Sequence, residues 1–111
     1  MKIITIGNLN KATFEILDTM IPSYEFTQCP NEVDLVIISS FNLSLFIEMT
    51  VMNMIMKIRS REKNFTRPLI LHENQILKNP NYMQSKVYKH LKLKDFKELP
   101  RIYTNSLEIR S

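Results

Sequence analysis

The chain has one glycine and one cysteine in 111 residues, and no tryptophan. Each scarcity removes a class of chemistry. A phosphate-cradling loop needs several glycines so that backbone N–H groups can close on the anion, and Gly7 alone cannot build one. A nucleophile elbow with its oxyanion hole has the same need. Cys29 has no second cysteine to pair with and reads as a structural, half-buried thiol. Metal sites want several Cys or His ligands at short spacing, whereas His72 and His90 are far from Cys29 and from each other. Neither a metal nor a cofactor is expected. A long apolar run is also missing. The richest stretch, Phe41 to Ile58, is broken by Asn42, Ser44, Glu48, Thr50 and Asn53. A glutamate in mid-span argues against a membrane helix. The opening MKIITIG has no apolar h-region of the signal-peptide kind, so no membrane association and a cytoplasmic location are expected.

What remains is ordinary for a globular protein: 44% hydrophobic and 23% charged residues. The length suits one domain, 1–111, large enough to bury a real core. The charge is unevenly spread. Residues 1–56 carry net −4 and residues 57–111 net +8. Such a split marks either an acidic-partner or nucleic-acid surface, or solvated helix faces.

The apolar pattern alternates between strand and helix signals. Lys2–Ile6 reads as a strand ended by Gly7-Asn8. Asn10 caps a helix over Lys11–Met20, with Phe14, Leu17, Met20 and Ile21 at helical spacing and Pro22 as its stop. Tyr24–Gln28 is a short second strand. Asp34–Ser39, DLVIIS, is an almost unbroken aliphatic run typical of a central parallel strand covered on both faces. A long helix follows over about Asn42 to Arg61, then a strand at Pro68–Leu71. Asn79-Pro80 starts another helix, running to about His90. Leu91–Lys94 reads as a fifth strand and Phe96–Ile109 as a last helix. The order implies an open, mainly parallel five-stranded α/β sheet with helices on both faces. The second crossover is shortened, since only Pro30–Val33 separates the second and third strands.

The long helix offers two apolar stripes when residues are placed about 100° apart. Leu43, Ile47, Val51, Met54 and Ile58 form an aliphatic stripe expected against the sheet. Leu45, Met49, Met52 and Met56 form a second, expected to meet either a neighbouring helix or another protein. Ser44, Glu48 and Arg59 separate the two on one flank.

Two segments, DLVIIS at Asp34–Ser39 and LKLKDFKEL at Leu91–Leu99, together with the element order, carry a likeness to a known family. The chain resembles the receiver domain of bacterial response regulators, a flavodoxin-like fold. The resemblance places Asn8 and Asn10 where receivers have Mg²⁺-binding acids, Ser39 where they have the phosphate-accepting Asp, and Lys94 on the conserved lysine of the last strand. Hard Mg²⁺ needs carboxylate oxygens, so the likeness implies a degenerate receiver that takes up no phosphate. Its implied role is a protein-interaction module in signalling or transcriptional control.

The sequence also leaves two other classes open. Arg59, Arg61, Lys63, Arg67, Lys86 and Lys89 could contact nucleic acid, with Tyr82, Tyr88 and Phe96 interleaved in the later basic segment. Ser39, Ser40, His72 and Glu73 fall at strand ends, where open α/β sheets bind ligands, but no catalytic pattern joins them. The favoured expectation is a non-enzymatic module that binds protein, most simply its own copy.

Overall fold

The computed structural model describes residues 1–41, 45–61 and 66–98. Four strands form one all-parallel sheet in the order β2-β1-β3-β4, namely β1 (Lys2–Ile6), β2 (Glu25–Phe26), β3 (Leu35–Ile38) and β4 (Leu69–His72). Helix α1 (Lys11–Met20) follows β1, and α2 (Leu45–Arg59) connects β3 to β4. After β4 come the short α3 (Glu73–Lys78) and the long α4 (Pro80–Glu98).

The aliphatic run of β3 takes the central position its composition implies: Leu35, Val36, Ile37 and Ile38 are all buried. Alternate side chains enter two different cores. Ile3, Leu35, Ile37 and Leu71 join Leu17 of α1, Ile76 of α3, and Met83 and Val87 of α4. On the opposite face Ile6, Val36 and Ile38 pack with Val33 and with Ile55 of α2. Among the described residues, one face thus carries three helices and the other carries one.

The shortened crossover has a geometric explanation. Parallel neighbours normally need a dozen or more connecting residues because the chain must travel back along a strand. Here Phe26 pairs with Ile3 from one side and Leu35 pairs with the same Ile3 from the other. Since β2 ends level with the start of β3, no axial return is needed, and a single 3-10 turn, Pro30–Glu32, suffices.

Other expectations change. Leu91–Lys94 is not a fifth strand, because α4 continues unbroken through it to Glu98. Nothing in that segment ends a helix: it has no Gly or Pro until Pro100, and lysines are good helix formers. Of the expected last helix, Phe96 to Glu98 belong to α4, and the remainder lies outside the described residues. Leu43 and Lys63 also lie outside them. Cys29 is exposed rather than half-buried.

Candidate functional site

Two places stand out: the carboxyl ends of the strands, and the face of α2.

At the strand ends the chain's one glycine allows two turns to meet. Gly7 has φ +86°, and a Cβ there would lie 2.8 Å from the Cβ of Ser39. Ser39 is buried, and its hydroxyl donates to the Asn8 carbonyl at 2.6 Å and accepts the Phe41 N–H at 3.0 Å. Asn8, Asn10 and Ser39 therefore share one edge of the sheet. Lys94 instead belongs to α4, not to a strand end. Asn10 is the N-cap of α1, but its side chain makes no cap hydrogen bond.

The start of α1 is tied down instead by Glu73, which is fully buried at the start of α3. One carboxylate oxygen accepts the Asn10 N–H at 2.6 Å and the Thr13 hydroxyl at 2.5 Å. The other accepts the Ser40 N–H at 3.0 Å, the Ser40 hydroxyl at 2.7 Å and the Asn10 side-chain amide at 3.0 Å. Burial alone pushes the Glu73 carboxyl up. The hydrogen bonds from Thr13, from the Ser40 and Asn10 N–H groups and from the Ser40 hydroxyl outweigh it and hold the carboxyl below its ordinary value of 4.5. One side chain thus ties together the turns that follow β1, β3 and β4. His72 is exposed, and its N–H donates to the Gln75 side chain at 3.1 Å. Side chains alternate along the extended chain, so His72, level with Ile38, points away from the face that holds Ser39 and Glu73.

The second place differs from its expected form. The side of α2 against the sheet is the wedge between the two apolar stripes. Ile55 is completely buried there and Arg59 is 8% exposed, while Val51 and Met52 pack half-buried beside them. Ile55 belongs to neither expected stripe. Arg59 is drawn inward: its guanidinium donates to the carbonyls of Pro30, Asn31 and Val33 at 3.1–3.3 Å, and also to the Thr66 carbonyl. It is a brace for the crossover turn, which removes it from the expected basic surface. The correction follows from side-chain chemistry, because a long arginine buries readily when carbonyls surround its donors. No spacing signal announces those carbonyls in the sequence.

The stripes therefore flank the buried wedge. Met52 and Met56 are half-buried, whereas Leu45 and Met49 remain exposed. Ile47 and Met54, expected against the sheet, are 49% and 50% exposed. Phe46 is 77% exposed and Phe41, just ahead of the helix, 70%. The outward positions from Leu45 to Met54 carry no charge, Thr50 and Asn53 being their polar members. Beside α2, where β2 stops short, a groove of about 390 Å³ lies between Val51, Met54 and Ile55 and the segment Phe26–Gln28.

Of the remaining cations, Arg61, Arg67 and Lys89 are exposed, and Lys86 lies 4.9 Å from the centre of the Tyr82 ring. Among the described residues no three His, Cys, Asp or Glu side chains group as a metal ion would require. No helix among them is long and apolar enough to cross a membrane.

Comparison with known proteins finds no matching family model, no matching curated protein and no matching solved structure.

Proposed function

We propose that this chain is a phosphorylation-independent interaction module that associates with a second copy of itself through the outward face of α2. The observation that carries the reading is the exposed, charge-free apolar arc of Phe41, Leu45, Phe46, Ile47, Met49 and Met54. Soluble monomers rarely leave such a patch uncovered. A second copy suits it because these six side chains carry no charge and so do not repel their own copies, although the chain has net charge +4 and Lys57 is exposed one turn beyond Met54. Two-fold pairing also closes the contact on itself. Six large apolar side chains per copy supply the apolar centre of an interface; one of standard size takes roughly 800 Å² per partner from about 20–30 residues.

Independence from phosphate rests on the strand ends. On the receiver likeness Asn8, Asn10 and Ser39 stand in for the needed carboxylates, and the Ser39 hydroxyl is already engaged with Asn8 and Phe41. The receiver likeness supplies the context, a regulatory role in signalling or transcription. Light scattering with and without acetyl phosphate tests both parts together. The reading expects a dimer whose mass and affinity do not respond to the phosphodonor. A monomer that dimerises only with acetyl phosphate present would contradict it.

A further inference from the structure

The Glu73 cluster has a property that self-association does not require. Five hydrogen-bond donors from three turns converge on its two oxygens: the N–H and side-chain amide of Asn10, the hydroxyl of Thr13, and the N–H and hydroxyl of Ser40. All are neutral, and Glu73 and Thr13 are both fully buried. A ring of backbone and side-chain donors that converge on one buried position suits an anion. We infer that the carboxyl edge of the sheet is an anion cradle which the chain fills permanently with its own Glu73 carboxylate, and that the filled cradle fixes Ser39–Phe41, the segment that leads towards α2.

This rests on the proposed interface only in its consequence, that the apolar face is held in place without any incoming anion. The ligand class follows from the geometry. The cradle takes a planar, monovalent carboxylate, two donors on one oxygen and three on the other. With the Glu73 side chain removed, formate is the nearest free equivalent. A glutamine in its place would offer one acceptor oxygen and turn an NH₂ towards donors, so shape alone would not restore the cradle.

The experiment is thermal melting of Glu73→Ala in sodium formate and in sodium chloride at equal ionic strength, with the wild type alongside. The expected result is a lowered Tm for Glu73→Ala that rises saturably with formate and not with chloride, while the wild type responds equally to both salts. Amide exchange at Asn10 and Ser40 should slow in step. Should Glu73→Ala be unfolded, refolding driven by formate gives the same answer. A variant that responds no differently to formate and chloride overturns the inference. Thr13→Val, which keeps the carboxylate, supplies a second reading: the Glu73 pKa measured by carbon NMR should rise, and an unchanged value overturns the inference as well. Sedimentation of the same samples separates the two proposals. A lost formate response with dimers intact ends only the cradle, and a monomer with the response intact ends only the interface.

Discussion

Glu73 and Gly7 show how much of the fold hangs on single residues at one edge. The folded Glu73 carboxyl titrates below 4.5, so around that pH the folded chain holds fewer protons than the unfolded chain. Its stabilisation is complete above the unfolded value and is lost as pH falls through the lower folded value. Urea midpoints measured from pH 7 down to pH 3 should therefore fall steeply in the acid limb for the wild type. Glu73→Gln should start lower at pH 7 and show a flatter limb. Equal acid limbs would remove Glu73 as the source. At Gly7, a substitution to alanine meets both a left-handed backbone and the Ser39 Cβ at 2.8 Å. The left-handed conformation alone costs about 1–2 kcal/mol, and a Tm lowered by roughly 5–10 °C is expected from calorimetry. An unchanged Tm would mean that the two turns can part freely. Gly7 was legible as a strand-ending turn, because a lone glycine followed by asparagine has few other uses. The Glu73 cluster was not. Its members, Asn10, Thr13, Ser40 and Glu73, are scattered over more than sixty positions, and only the register of three strands brings them together.

Helix α2 is held by its second half, and the details decide which substitutions matter. Arg59 braces the turn Pro30–Glu32 against the end of the helix. Arg59→Met keeps much of the apolar stem but leaves several carbonyls without donors. A loss of about 2–4 kcal/mol in urea unfolding is expected. A loss near zero would mean that water replaces the guanidinium. Ile55→Ala should cost about 2–5 kcal/mol, as a buried aliphatic truncation does. Met54→Ala, only one residue away but half-exposed, should cost well under half as much. Comparable losses would mean that α2 is rolled about its axis relative to the geometry described. Sequence periodicity located this helix well but mistook its rotation. Two apolar stripes with Glu48 and Arg59 between them read as enclosing a polar flank, and Ile55 is the apolar residue on that flank that marks it as the buried side. Pattern alone cannot show that an arginine lies inward, because the groups that neutralise the cost of its burial are backbone carbonyls from another part of the chain.

At the scale of the fold, the described elements cover the sheet unevenly: among the described residues α1, α3 and α4 close one face and α2 crosses the other. Between β2 and β3 a 3-10 turn stands where a crossover helix would otherwise lie. The parallel sheet and the central place of β3 were readable from alternating elements and from DLVIIS. The end of the sheet was not, because Leu91–Lys94 has alternation compatible with a strand and propensity compatible with a helix, and the helix already begun at Pro80 carries through it. The apolar arc on α2 is the consequence with most bearing on function. Sedimentation equilibrium over a wide concentration range, on the wild type and on the Leu45→Glu/Met49→Glu variant, tests it most directly. The wild type should fit a monomer–dimer equilibrium, and the variant should stay monomeric with an unchanged circular dichroism spectrum. A wild type that remains monomeric at the highest concentration, or a folded variant that dimerises as tightly as the wild type, would contradict the account.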